Sequence, residues 1–155
     1  MSVSPLSMST DVSVRGDVRC DEAEVRTGQA PPIELLSPPG SVSMADDWYQ
    51  FAQAGHFWFQ WRFEVLKRLL RGVNLGKRIL EIGCGNAVSR DQFESLLGQP
   101  VDGCDLNLGA LRLAKPGRGR LYYYNIHDRR PQWREAFDTI LLLDTLEHID
   151  DTRLF

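Results

Sequence analysis

Arg78-Ile79-Leu80-Glu81-Ile82-Gly83-Cys84-Gly85-Asn86-Ala87 is the stretch from which this sequence is best read. Ile79, Leu80 and Ile82 form an apolar run of strand length, and Gly83 and Gly85 punctuate its end. Glycine at two of three positions permits positive φ and lets a ligand approach where a Cβ would collide. A helix starting after this turn would aim its first unpaired N–H groups back at the same point. Strand, glycine turn and helix start together predict a cradle of nucleotide size.

Downstream, the pattern repeats. Val88 to Leu97 reads as a helix, with Phe93, Leu96 and Leu97 on one side and Gly98-Gln99-Pro100 as its stop. Val101 to Leu106 reads as a second strand closing on an acid, Asp105, and Leu108 to Ala114 as a short helix. Leu121 to Ile126 is a third, aromatic strand, Pro131 to Ala136 a weak helix, and Phe137 to Leu143 a fourth strand apolar enough to be buried on both faces. The alternation predicts an α/β fold, a Rossmann-like parallel sheet with flanking helices.

Upstream, Trp48, Tyr49, Phe51, Phe57, Trp58, Phe59, Trp61 and Phe63 crowd a single aromatic stretch that leads into Glu64 to Arg71, a strong helix former. Trp58, Trp61, Val65 and Leu69 are expected to share its docking face, widened by Phe59, Phe63, Leu66 and Leu70. The aromatic stretch reads first as a helix docked on the sheet, and in a sharper reading its segment from Trp48 to His56 forms a mobile lid over a ligand. Residues 1–44, rich in serine with prolines at Pro31-Pro32 and Pro38-Pro39, carry no helical or strand period and are expected to be a disordered tail. Residues 45–155 form the folded part.

Composition narrows the function classes. A net charge of −3 gives no electrostatic reason to expect nucleic acid. No apolar run approaches the roughly 18–20 residues that span a bilayer, so no membrane partner is expected. Cys20, Cys84 and Cys104 have neither metal-ligand nor paired disulfide spacing, so no metal is expected and a reduced, cytoplasmic setting fits.

The glycine spacing then separates two cofactor chemistries. A dinucleotide site wants G-x-G-x-x-G, but Val88 occupies the third glycine position. Asp105, at the second strand's end, suits ribose hydroxyls in either chemistry. Glu81, two residues before the first glycine, would attract an ammonium and repel a pyrophosphate.

Glu81-Ile82-Gly83-Cys84-Gly85 resembles the first motif of class I S-adenosylmethionine-dependent methyltransferases. Cys104-Asp105-Leu106 resembles their second motif, and Phe137-Asp138 through Asp144-Thr145-Leu146-Glu147-His148 their fourth-strand signature, in the family's order and spacing. The resemblance implies S-adenosyl-L-methionine as cofactor and transfer of its methyl group to an acceptor that the residues do not name, with a small molecule as the expected partner. It implies that Glu81 holds the amino group, that Gly83, Cys84 and Gly85 approach with their backbone, and that Asp105 takes the ribose hydroxyls while Leu106 packs on the adenine. Asn125 and Ile126, with Asp128 as second choice, would meet the adenine edge. Asp144 would face the sulfonium side, and Asp144 and His148 are the candidates for catalysis. Measured against the family, the domain is incomplete after its fourth strand, whose uncovered apolar face is expected to invite self-association.

Other readings attach to the same residues. Glu81 can pair with Arg78, Asp105 can cap the helix after it, and Cys84 with Cys104 can be two small buried residues or a redox pair. At the level of the whole chain, a non-catalytic cofactor-binding or scaffold module and, further off, an NAD-dependent oxidoreductase stand as alternatives.

Overall fold

The computed structural model describes residues 31–40, 48–149 and 151–153. The expectation of a disordered tail at residues 1–30 and 41–44, Cys20 included, lies outside the described residues. Five strands form one all-parallel sheet in the order β1-β4-β3-β2-β5. They are β1 Ile33–Leu35, β2 Ile79–Ile82, β3 Asp102–Asp105, β4 Leu121–Tyr123 and β5 Thr139–Leu142. The helices are α1 Trp48–Phe51, α2 Phe57–Leu69, α3 Val88–Leu97 and α4 Leu108–Arg112.

β2 sits between β3 and β5, with Glu81 in register with both Gly103 and Leu141. Such a strand is buried on both faces, which is why its residues are apolar almost without alternation. One face of the sheet carries Ile79 and Leu141 beneath Phe63, Leu66, Leu70 and Phe93, and Leu121 and Tyr123 beneath Leu111 and Ala114. The opposite face carries Leu80, Cys104 and Tyr122 against Trp133 and Phe137. Ile140, in register with Leu80 on that second face, remains 46% exposed on the edge strand β5.

Three expectations change. A fifth strand, β1, arises inside the stretch read as tail. Ile33-Glu34-Leu35 lies between two proline pairs, so the composition around it conceals a short strand that needs only one paired edge, and prolines are tolerated at such an edge. The helix expected over Pro131 to Ala136 is only a 3₁₀ turn, Pro131–Trp133, preceded by another at Ile126–Asp128. On α2 Phe59 is buried and Phe63 and Leu66, with Leu70 just past the helix end, are half-buried against the core, whereas Trp61 and Leu69 are 59% and 70% exposed. This helix is apolar around most of its circumference, so periodicity cannot choose which stripe docks.

Candidate functional site

The order of the strands locates the site. From β2 through β3 to β4 the chain steps one way across the sheet, then returns to place β5 on the other side of β2. Helical connections therefore diverge above β2, and a crevice opens beyond the carboxyl ends of the strands. A cavity of about 830 Å³ lies there, its wall including Glu81, Gly83, Cys84, Gly85, Asp105 and Leu106.

The glycine turn forms the floor. Gly83 and Gly85 have φ of 74° and 54°, both in the left-handed region. Two N–H groups, from Gly83 and Cys84, donate to the Cys104 carbonyl at 2.9 and 3.1 Å, locking the turn to the end of β3. A Cβ at Gly83 would strike the side chain of Thr145, whose hydroxyl donates to the Ile82 carbonyl at 3.0 Å. A Cβ at Gly85 would lie 2.8 Å from the Tyr49 ring. The two glycines thus make room for the protein's own segments on either side of the crevice.

Two carboxyl groups flank that floor in opposite states. Asp105 accepts from the Gly85 N–H and the Asn107 N–H, each at 2.7 Å. Burial pushes its pKa up, against the opposing pull of these backbone donors. Glu81 is 2% exposed, and its Oε2 has no hydrogen-bond partner. Burial raises its pKa to about 8, while the Arg62 and Arg90 charges and the Arg90 backbone N–H pull the other way. A buried carboxyl oxygen without a partner on a cavity wall carries a desolvation cost that a donor entering the cavity would relieve.

The cover is the aromatic segment. Asn86 donates through Nδ2 to the Ala52 carbonyl at 2.7 Å, tying the segment after α1 to the glycine turn. Val88, at the position where a dinucleotide fingerprint would have glycine, packs with Ala52 and Phe59. From α2, Trp58 donates through Nε1 to Asp144 at 3.0 Å, and Arg62 bonds both Asp144 and the Ser89 hydroxyl. Asp144 itself sits at φ 53°, in the left-handed region beyond β5.

Of the residues expected from sequence, Glu81, Gly83, Cys84, Gly85, Asp105, Leu106, Ile126, Asp144 and His148 all line the cavity. Asn125 and Asp128 stand outside its wall. The Asn125 amide oxygen accepts the His127 N–H at 3.0 Å, capping the 3₁₀ turn, and Asp128 accepts from the Ser37 hydroxyl at 2.5 Å. Cys84 and Cys104 are free and buried, with burial pushing both thiols up, so they are neutral packing residues of the floor. Arg62 and Ser89 join the wall unannounced, and so do Tyr49, expected only as part of the lid, and Thr145, named only within the fourth-strand signature. A signal for Arg62 was present: it falls at helical spacing among Phe59, Phe63 and Leu66, a cation on the face that docks.

A shallower depression near Asn74–Arg78 is lined by Asp138, whose Oδ2 already accepts the Lys77 and Arg78 N–H groups at 2.8 and 2.9 Å. No described helix is long and apolar enough to cross a membrane. No family model matches the chain. Over 118 residues the chain is 28% identical to a curated protein of Schizosaccharomyces pombe, "Ubiquinone biosynthesis O-methyltransferase, mitochondrial". That match covers 70% of this chain and 43% of the relative, so the chain spans less than half of that protein's length. The distant similarity and the all-parallel sheet, taken together, support a methyltransferase-type fold.

Proposed function

We propose that this chain binds S-adenosyl-L-methionine and takes part in methyl transfer to a small-molecule acceptor. The observation that carries the reading is Glu81: a buried carboxyl oxygen without a partner, on a cavity wall, beside a positive-φ glycine turn and one strand from Asp105. An α-amino group is the cation such an oxygen accommodates. Arg62, 12% exposed at its side chain and facing the same space, offers a guanidinium to the neighbouring carboxylate. The Asp105 carboxylate retains acceptor capacity for a ribose hydroxyl after serving its backbone donors. Leu106, Tyr124 and Ile126 provide apolar wall for a purine.

When bound, the cofactor supplies an electrophilic methyl group on a sulfonium. The chain's own task is to fix orientation and exclude water, which the side-chain ties of the aromatic cover serve. The relative's name describes O-methyl transfer, so a hydroxyl acceptor is the form we propose; its proton needs a base. His148 lines the cavity, whereas Asp144 is held by Arg62 and Trp58, so His148 is the stronger candidate for that role. The buried, free thiols Cys84 and Cys104 suit a reducing compartment such as the cytoplasm. The β5 edge with exposed Ile140 supports self-association through that strand.

Calorimetric titration with S-adenosylhomocysteine and with NADH tests the cofactor class. Binding of the first and not of the second is expected; preference for NADH would overturn the reading. A screen with methyl-labelled cofactor and small hydroxyl compounds then separates turnover from binding alone.

A further inference from the structure

We infer that Ser37 is a positioning residue for the adenosine end of the cavity, acting through the turn Asn125–Asp128; this rests on the cofactor reading above. The floor of the crevice at β2 and β3 is held by its own strands, since Asp105 receives the Gly85 and Asn107 N–H groups. The end of β4 has no acid in that place. It has Asn125, whose side chain is spent on the His127 N–H. The turn therefore takes an oxygen from elsewhere. The Asn125 N–H donates to the Ser37 hydroxyl at 2.8 Å, and that hydroxyl donates onward to Asp128 at 2.5 Å. One oxygen thus ties both ends of the turn that presents Ile126 and His127 to the cavity.

The burial pattern of the β1 region agrees with this role. The strand itself packs little: Glu34 is exposed and Leu35 is 54% exposed. Ser37, just past it, is 6% exposed. Its hold on the sheet is at the same end, where the Leu36 and Ser37 N–H groups share the Tyr123 carbonyl and the Gly40 N–H reaches the Tyr123 hydroxyl at 2.9 Å. The segment delivers a hydroxyl more than it fills a core. Ser37 does not itself line the cavity, so its effect passes through the turn.

The test is calorimetric titration of adenosine and of S-adenosylhomocysteine against the full chain, as wild type, Ser37→Ala, Ser37→Cys and Ser37→Thr. Ser37→Cys keeps the volume and gives up the strong hydrogen bonds, so it reports on the hydroxyl even where Ser37→Ala fails to fold. Loss of a partner for the Asn125 N–H is expected to weaken both ligands about tenfold in the alanine and cysteine variants, with affinity restored by threonine. Adenosine affinity unchanged in Ser37→Cys, or lost equally in Ser37→Thr, would overturn the inference. Wild-type protein that binds neither ligand would instead overturn the cofactor reading on which it rests.

Discussion

Floor and cover of this cavity are held by different kinds of bond. The floor, from Gly83 to Asp105, is tied by backbone donors: Gly83 and Cys84 to the Cys104 carbonyl, Gly85 and Asn107 to Asp105. The cover, from Trp48 to Arg62, reaches across through side chains: Asn86 to Ala52, Trp58 and Arg62 to Asp144, Arg62 to Ser89. The two bonds to the Cys104 carbonyl are main-chain bonds at the end of the sheet and open only when it does, whereas bonds that end on a side chain, those to Asp105 included, can be severed singly while the sheet stays folded. Geometry at the reacting end is thus built into the sheet, and access to it rests on a few polar contacts.

Breaking the floor has the largest expected effect. Asp105→Ala leaves two backbone N–H groups without partners and removes the ribose acceptor, so S-adenosylhomocysteine affinity is expected to fall about a hundredfold by calorimetry. A fall smaller than tenfold would mean that the turn holds its shape without this carboxylate, and the floor would then resemble the cover.

Next comes the unpaired acid. Because the folded protein keeps the Glu81 proton up to about pH 8 while an unfolded chain releases it near 4.5, the folded state binds more protons across that interval. Thermal stability of the ligand-free protein is therefore expected to decline as pH rises from about 4.5 to about 8. Half-buried Asp91, Asp102 and Asp105 are also shifted upward and add the same sign, so the difference between wild type and Glu81→Gln isolates this residue. An ammonium-bearing ligand needs the carboxylate, so its affinity should rise with pH through about 8 in wild type and lose that dependence in Glu81→Gln. Parallel pH profiles for the two proteins would place Glu81 outside the binding event.

Severing the cover is the mildest intervention. Arg62→Ala removes the charged tie of α2 to Asp144, leaving that of Trp58, together with its bond to Ser89, and is expected to weaken S-adenosylhomocysteine about tenfold with little loss of melting temperature. Asn86→Ala removes the neutral bond to the Ala52 carbonyl and a longer one to that of Tyr49, and should cost about threefold. If these two variants lower the melting temperature as much as Asp105→Ala does, the distinction between floor and cover fails.

Much of the site was legible because its chemistry is local in the chain. Glu81, Gly83, Cys84 and Gly85 are neighbours, and a strand followed by glycines dictates both the turn and the residues it exposes. Asp105 was readable as an acid at the end of the next strand. Asn125 and Asp128 were legible as residues near the third strand's end but not as to what they touch, because Ser37, their partner, lies 88 and 91 positions away. Arg62 was missed for a related reason. Its partners Ser89 and Asp144 are 27 and 82 positions off, and a cation in an aromatic helix is ordinarily written off as solvated.

The order of strands and helices, the parallel sheet and the glycine cradle follow from the sequence itself, since each depends on spacing that a short window contains. Three things were decided only by the tertiary structure. Packing docked the side of α2 that carries Phe59, Phe63 and Leu66 rather than an equally apolar stripe, and that same side brings Arg62 to Ser89 and Asp144. Pairing with β4 turned Ile33–Leu35 into a strand that composition hid. Burial left Glu81 without a partner for one oxygen, and that state exists only because the sheet closes around it: the same carboxylate on an open chain would be satisfied by water.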